Sequence, residues 1–139
     1  MRTLVAQDFV TIRQSANGTF NQGHNAWLEL PEYPDLVAWL DVREVNAASG
    51  TLTMAYQTAP TAEESSFMAI TGPLAANTVP FAAAVGVTVT PLLKDFLTVP
   101  LAHWFRWQLA ATGTSGTWDI TFRLFLAANC LSGRNGRRG

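Results

Sequence analysis

Apolar residues recur at every second position through much of this chain, and this pattern restricts the fold to extended strands that bury one face. Residues 36–45 alternate in this way, and residues 51–58 resume the alternation after segment 46–50, which ends in glycine. A period of two is typical of β-strands, in which successive side chains point to opposite faces. Two such strands around a short glycine-bearing segment predict a β-hairpin. The faces expected to be buried carry Leu36, Ala38, Leu40 and Val42 on the first strand and Leu52, Met54 and Tyr56 on the second.

A second hairpin is predicted in the last third of the sequence. Residues 101–110 alternate, residues 111–116 are rich in Gly, Thr and Ser, and residues 117–128 alternate again. In the last strand the second face stays polar until Phe125, so one side is expected to be buried and the other to face mostly solvent. The buried sides are expected to carry Leu101, His103, Phe105, Trp107 and Leu109, followed by Trp118, Ile120, Phe122, Leu124 and Leu126.

The whole pattern predicts an all-β protein. Shorter strands are expected at about residues 3–13, 25–30, 67–71 and 84–90, with turn-rich segments between them. Residues 91–97 are expected to form a single helical turn or a loop held between Pro91 and Pro100. No segment carries a long period of 3.6 residues, so little helix is expected. About seven or eight short strands joined by turns are typical of an antiparallel β-sandwich or jelly roll.

Length and composition predict a single domain with a short arm. The sequence has 139 residues, which suits one domain, and 48% of them are hydrophobic, which excludes a disordered protein. Residues 1–131 are expected to form the β-sandwich domain. Residues 132–139 lack apolar side chains that could anchor them, and they are expected to form a flexible arm that is rich in arginine.

Charged residues are few. Asp, Glu, Lys and Arg make up 14% of the sequence, where roughly 25% is usual in soluble domains. The surface must therefore be rich in Thr, Ser, Asn and Gln, or other protein must cover much of it. The net charge of −1 gives no general electrostatic case for binding nucleic acid or an anionic membrane. For the arginines of the arm three interpretations stay open: a solvated terminus, an arm that orders against an acidic neighbour, or a contact with nucleic acid.

Neither a disulfide nor a membrane segment is expected. Cys130 is the single cysteine, which excludes an internal disulfide and a metal site built from several cysteines. The first residues lack the apolar core of a secretory signal, and no apolar run approaches the roughly 20 residues of a membrane-spanning helix. The protein is therefore expected to be made in a cytoplasm, and to stay there or to leave as part of a larger assembly.

Residue types that carry catalysis or bind metals are few and scattered. His24 and His103 lie far apart and neither has a second ligand at a motif distance, so no metal, cofactor or enzymatic activity is expected. His24 is interpreted as a solvated loop residue, and His103 as a core or interface residue with a hydrogen-bonded ring. The adjacent pair Glu63 and Glu64 is interpreted as a solvated loop tip, since neighbours on an extended strand point to opposite sides. A small β-barrel enzyme would need His103, Asp119 or Glu63 to converge in one pocket.

Tryptophans on the predicted strands are the strongest indication of function. On the first predicted strand, Trp39 and Arg43 fall on the face opposite the expected core. In residues 101–110, Trp104 and Arg106 likewise fall on the face opposite the expected core. Exposed tryptophan next to arginine is typical of a protein–protein binding surface, although flat aromatic faces could also stack on sugar rings in a carbohydrate-binding β-sandwich. A third interpretation is that sheets and loops of the domain itself cover both faces.

Two parts of the sequence together resemble small structural proteins of bacteriophages. In that family a strand rich in Val and Asp leads through a Gly turn to a strand that ends in Gln-Thr-Ser-Pro. A later strand carries an aromatic–Arg–aromatic core before a Gly/Ser/Thr turn and a terminal strand. The stretches that carry the resemblance are 40–45, 50–60, 104–107 and 113–125, with departures at Ala59, where serine is more usual, and in the Pro-rich middle. The resemblance implies a β-sandwich component of a virion, such as a capsid decoration (cement) protein, and it supplies no catalytic residues.

The expected function is therefore a non-enzymatic structural role in a phage or phage-like particle, with the protein located in the virion after synthesis in the host cytoplasm. The protein is expected to bind the major capsid protein or another virion protein and to assemble with itself, with a trimer favoured. The alternative is a carbohydrate-binding β-sandwich module that uses outward-facing tryptophan. The residues expected to bind a partner are Trp39, Arg43, Trp104, Arg106, Arg134, Arg137 and Arg138.

Overall fold

Antiparallel β-strands make up nearly all of the regular structure. The computed structural model describes residues 2–15, 17–30, 35–47, 50–70, 78–80, 86–93, 101–114 and 116–129. These residues contain ten strands and two short 3-10 helices, at His24–Ala26 and Glu64–Ser66. The strands are β1 (Arg2–Gln14), β2 (Gly18–Asn21), β3 (Leu28–Glu29), β4 (Asp35–Asn46), β5 (Thr51–Ala59), β6 (Met68–Ala69), β7 (Thr78–Pro80), β8 (Gly86–Leu93), β9 (Trp104–Thr112) and β10 (Trp118–Asn129). The prediction of an all-β protein is confirmed.

The strands form two sheets in the order of a jelly roll. Sheet A has the order β1-β10-β4-β8, and sheet B has β9 and β5 at its centre. β2 and β3 lie along one edge of sheet B beside β9, and β6 and β7 lie along the other edge beside β5. If each of these pairs counts as one interrupted strand, the described residues form eight strands, four in each sheet. The backbone passes to the other sheet at every connection between these eight except the one from β5 to β6, which is the double-sheet arrangement that was predicted.

Both predicted hairpins are wrong, although their strands are correct. β4 lies in sheet A and pairs with β10 and β8, whereas β5 lies in sheet B and pairs with β9. The last two strands are separated in the same way, with β9 in sheet B and β10 in sheet A. The physical reason is that a period of two specifies which face of a strand is buried and leaves its hydrogen-bonded partner open. A short glycine-bearing connection can cross between two sheets as well as turn within one.

The hydrophobic core lies between the inner faces of the two sheets. Trp107 of sheet B meets Phe122 of sheet A edge to face, with 5.2 Å between the ring centroids and 87° between the ring planes. Leu101 and His103 are only half-buried, because they precede β9. The other predicted core residues are all buried: Leu36, Ala38, Leu40, Val42, Leu52, Met54, Tyr56, Phe105, Trp107, Leu109, Trp118, Ile120, Phe122, Leu124 and Leu126.

Some minor strands differ from their predicted bounds. Within the described residues 25–30 and 67–70, the strands are only two residues long, β3 and β6, and each follows a 3-10 helix. Residues 91–93 belong to β8 and form neither a helical turn nor a loop, because they continue the antiparallel ladder with β4. Several parts of the predictions fall on residues outside the described ranges: 71, 84–85, 94–97, Pro100, Cys130 and the arm 132–139.

Gln22 fills the break between β2 and β3, and it is only 2% exposed. The backbone N–H of Trp107 donates to Oε1 of Gln22 at 3.2 Å, and the backbone N–H of Gln22 donates to the carbonyl of Trp107 at 3.1 Å. Nε2 of Gln22 donates to the carbonyl oxygens of Ala6 at 2.6 Å and Ala26 at 2.9 Å. Gln22 therefore continues the ladder of sheet B across the break and ties that sheet to β1 of sheet A.

Replacing Tyr56 by phenylalanine is expected to leave the stability unchanged or to raise it. Tyr56 is fully buried, and its hydroxyl has no hydrogen-bond partner among the described residues. Burial also raises the pKa of this hydroxyl, so it stays protonated. Because a buried unpaired hydroxyl is unfavourable, Tyr56→Phe is expected to raise the free energy of unfolding by up to about 1 kcal/mol in urea denaturation. A clear loss of stability would show that the hydroxyl has a partner in the folded protein.

Candidate functional site

The strand residues predicted to bind a partner lie on two different sheets. Trp39 and Arg43 belong to β4 and point outward from sheet A, where both are exposed. Trp104 and Arg106 belong to β9 at the centre of sheet B. The four residues therefore do not form one site. The remaining predicted contacts lie outside the described residues: Arg134, Arg137 and Arg138.

Arg106 is 4% exposed, so its predicted outward exposure is wrong. Its guanidinium lies 4.2 Å from the ring centroid of Phe67 and 5.5 Å from that of Trp27. Nε donates to Oε1 of Gln57 at 2.7 Å, and a terminal nitrogen forms an ion pair with Glu64. The physical reason is that the two loops carrying the 3-10 helices fold over this part of sheet B. The interpretation in which the domain covers its own outer face is thus correct for Arg106.

His24 is exposed as predicted, whereas His103 has the predicted hydrogen-bonded ring but does not lie in the core. Nε2 of His103 lies 2.5 Å from Oε2 of Glu29, and the imidazole packs against Trp104 with 5.5 Å between ring centroids. His103 and Trp104 are both half-buried. His24 is exposed in its loop, and its ring lies 4.3 Å from that of Trp27. Trp104 therefore exposes only part of its ring.

His103 and Asp119, two of the three groups proposed for a small β-barrel enzyme, do not converge. Asp119 accepts hydrogen bonds from Asn46 at 2.9 Å and from Arg13 at 3.4 Å in sheet A. His103 precedes β9 and Asp119 follows the connection at the other end of that strand, so they are separated by roughly 30 Å. Within the described ranges, no three His, Cys, Asp or Glu side chains come together as a metal site requires. No helix in the described part of the protein has the length and apolarity to cross a membrane.

A row of apolar side chains crosses the outer face of sheet A and touches all four strands. Val5 pairs with Phe125, Phe125 with Trp39, and Trp39 with Val89, so the four lie side by side. Trp39 and Val89 are each 44% exposed and Val5 is 53% exposed. This apolar row continues into an open depression of about 300 Å³, which is lined by Thr3, Trp39, Phe125, Leu126 and Ala127.

Exposed hydrophobic surface is concentrated on this face. The described residues include six large hydrophobic side chains that are exposed, and five of them lie here: Val5, Phe9, Trp39, Val87 and Val89. With exposed fractions of 44–57%, these five present on the order of 400 Å² of apolar surface. The largest apolar patch on a typical soluble monomer has about this size, and such a patch is often functional. The outer face of sheet A is therefore the candidate functional site.

Three charged side chains and one aromatic ring form a cluster beside the apolar row. Nε of Arg43 lies 3.2 and 3.3 Å from the carboxylate oxygens of Asp41, and Nε of Arg123 lies 3.0 Å from Oδ2. The Phe9 ring packs against both guanidinium groups, at 5.1 Å for Arg43 and 4.6 Å for Arg123. This arginine cluster (Phe9, Asp41, Arg43 and Arg123) holds two cations on one carboxylate and so carries a net charge of +1.

Asp41→Asn is expected to destabilise the protein by about 1 kcal/mol at neutral pH. Hydrogen bonds from Arg43 and, to a lesser extent, Arg123 hold the pKa of Asp41 below its ordinary value of 3.8, against the opposing effect of partial burial. Since the folded-state pKa is lowered, the ionised carboxylate stabilises the fold above 3.8 and loses this effect as the pH falls through the folded-state pKa. Urea denaturation should therefore show the difference between variant and wild type shrinking in acid. A difference that is independent of pH would assign the loss to packing and not to charge.

Much of the candidate site is not evident from the sequence. Trp39 and Arg43 are found because a single strand shows both on its outer face. Phe9, Arg123 and Val89 belong to three other strands. The alternation within each strand can place a side chain on the outer face, but it does not show that the three residues lie close together. Only the strand order β1-β10-β4-β8 brings them together. The change of the last strand's outer face from polar residues to Phe125 is the one sequence signal that marks the row.

Comparison with protein-family models and with curated proteins finds no relative. No protein-family model matches the sequence. No curated protein matches it either. The function is accordingly inferred from the residues and the fold of the protein itself.

Proposed function

We propose that this protein is a non-enzymatic structural component of a phage or phage-like particle, a capsid decoration (cement) protein that stabilises the shell through protein–protein contacts. The observation that carries the proposal is the exposed apolar row of Val5, Phe125, Trp39 and Val89 on the outer face of sheet A. Two further features support it. The fold is a jelly roll, an architecture used in viral capsid domains, and only 14% of the residues are charged.

The mechanism is the burial of apolar area on the shell. Covering roughly 400 Å² contributes on the order of 10 kcal/mol, which is comparable with the roughly 4–15 kcal/mol that association costs. One domain on one site therefore binds weakly. Self-association, with a trimer favoured, would join several such faces, and repetition over the shell would turn modest affinity into avidity. Trp104 and the arginines of residues 132–139 are the additional contacts proposed for this assembly.

A carbohydrate-binding module is the alternative, and the surroundings of Trp39 favour it less. A sugar ring that stacks on an indole also needs polar groups at its edge to fix its orientation. The neighbours of Trp39 in its own row are Phe125 and Val89, which offer none. The polar groups beside the row are Thr3 and the arginine cluster, whose carboxylate is already bound by both arginines. Jelly rolls do occur among lectins, so sugar binding is an outcome that the experiments must be able to reveal.

The proposal is tested on particles purified from the source that encodes the protein. Immunogold labelling and cryo-electron microscopy are expected to find the protein at regular positions on the outside of the shell. Light scattering over a hundredfold range of concentration is expected to find the purified protein as a trimer or larger ring. Particles that lack the protein, or a monomer that binds polysaccharide and no shell, would overturn the proposal.

The docking face is tested by rebinding to particles stripped of the protein. Trp39→Ser and Val89→Ser are expected to weaken rebinding, because each removes apolar area from the row. Met68→Ser is the matched control, since Met68 is 62% exposed but belongs to β6 in sheet B. Equal losses for the three variants would exclude the outer face of sheet A as the docking face.

A further inference from the structure

We propose that Arg43 and Arg123 form a receptor for a carboxylate, so that the protein segment docking on the outer face of sheet A carries a carboxylate next to apolar side chains. The carboxylate is that of an Asp or Glu side chain or of a polypeptide C-terminus. The inference rests on the proposed function in taking this face as the docking surface. It adds the chemistry by which the partner is recognised.

The guanidinium groups of both arginines keep their terminal nitrogens for a ligand. Each binds Asp41 through Nε alone, and among the described residues the terminal nitrogens make no hydrogen bond. The side chain of Arg43 is 59% exposed and that of Arg123 is 31% exposed. Arg106 differs, because it uses a terminal nitrogen on Glu64 and is buried. A planar guanidinium with free terminal N–H groups matches a carboxylate in bidentate geometry.

Irregularities in the backbone of sheet A bring the cluster together around Arg123. In β1, the two residues Asp8 and Phe9 lie opposite the single residue Arg123. In β4, Arg43 is the extra residue between the pairs Val42–Phe122 and Glu44–Thr121. β-Bulges of this kind redirect side chains and are frequent next to functional sites. Here they place the Phe9 ring and the second guanidinium beside the first.

The cluster is preorganised, and it is continuous with the apolar row. Asp41 fixes both guanidinium groups at Nε, and Phe9 packs against each of them. Arg123 also lies 4.7 Å from the ring centroid of Phe125, which belongs to the row. A partner that covers the arginine cluster must therefore match the exposed guanidinium groups, which are flanked by hydrocarbon. An apolar segment with one carboxylate meets both requirements, since a desolvated cation needs a compensating charge.

The test uses three short peptides as probes and the full-length protein labelled with ¹⁵N. The probes are acetyl-Leu-Glu-Phe-amide, acetyl-Leu-Gln-Phe-amide and acetyl-Leu-Gln-Phe with a free C-terminus. The glutamate peptide is expected to bind about tenfold more tightly than the glutamine amide. Binding is measured from the shifts of the NMR signals of the Trp39 indole N–H and of the arginine Nε–H groups. Binding of the peptide with the free C-terminus supports the proposal too, and the tighter of the two carboxylates identifies the source.

Matched variants separate the receptor from general attraction to positive charge. Arg43→Gln and Arg43→Lys are expected to remove the preference for glutamate, because lysine keeps the charge but lacks the planar fork. Arg13→Gln removes a charge from the same face, where Arg13 is 68% exposed and paired with Asp119, and it is expected to keep the preference. Arg43 is chosen for substitution because Arg123 also binds Asp41, so the variants are expected to fold.

Several outcomes would overturn the inference. The first two are equal binding of the glutamate and glutamine amides, and no binding of any peptide. The others are a loss of the preference for glutamate in Arg13→Gln as large as in the Arg43 variants, and displacement of the glutamate peptide by inorganic phosphate at equal concentration. None of them involves a particle, so they leave the proposed function standing. Absence of the protein from particles would overturn the proposed function and leave the peptide result intact.

Discussion

Replacing Gly50 by alanine is expected to destabilise the protein by about 3 kcal/mol or more, or to prevent folding. Gly50 has φ +88°, and a Cβ atom there would lie 2.6 Å from backbone atoms of Thr112, Gly113 and Thr114. Neither a side-chain rotation nor a small shift can relieve a contact with backbone of the neighbouring connection. The two connections that cross between the sheets, after β4 and after β9, pack against each other at this glycine. Unfolding in urea, followed by tryptophan fluorescence, measures the loss.

Two other glycines separate the causes of this effect. Gly116 has φ +74° with no described atom within 4 Å of an added Cβ, so Gly116→Ala is expected to cost only the backbone strain of about 1 kcal/mol. Gly23 has φ −59° and open space around it, so Gly23→Ala is expected to change stability by less than about 0.5 kcal/mol. If Gly50→Ala costs no more than Gly116→Ala, the two connections do not pack as described.

Gln22→Ala is expected to reduce the free energy of unfolding by about 3 kcal/mol. The substitution leaves the N–H of Trp107 and the carbonyls of Ala6 and Ala26 without their partner, in a place where Gln22 itself is 2% exposed. It also leaves a cavity between the edge of sheet B and β1. Chemical denaturation gives the free energy, and amide hydrogen exchange of Trp107 is expected to speed up because its N–H loses its acceptor.

Gln108→Ala is the matched control for this prediction. Gln108 lies on β9 next to Trp107, but its side chain is only half-buried and makes a single hydrogen bond, to Asn21 at 2.8 Å. Its removal is expected to cost about 0.5 kcal/mol, as is usual at the surface. Equal costs for the two variants would show that Gln22 does not hold the break in sheet B.

The strands and their buried faces could be predicted because both depend on neighbouring residues. The alternation in residues 36–45 places Leu40 inside and Trp39 outside, and the structure has them at 0% and 44% exposure. A residue's face is set by its parity within one strand, so a short window of sequence is sufficient. The same parity predicted the buried faces of β5, β9 and β10.

Arg43 and Arg106 show where parity stops being informative. Both follow a tryptophan on the outward face of an alternating strand, and the sequence treats them alike. In the structure Arg43 remains exposed, whereas Trp27 and Phe67 close over Arg106. Those two aromatic residues come from loops about 40 and 80 residues away in the sequence, and their arrival depends on the whole topology.

The sequence by itself thus determined an all-β protein, the faces that its main strands bury, and two of the residues on the candidate site, Trp39 and Arg43. Tertiary structure alone decided that consecutive strands enter different sheets, that Gln22 closes an edge, and that the outer face of sheet A collects Val5, Phe125, Trp39 and Val89 into one row. The physical reason is the range of the interactions. Alternation is a property of a few successive residues, whereas strand order depends on the simultaneous pairing of segments far apart in the sequence, which no single segment encodes.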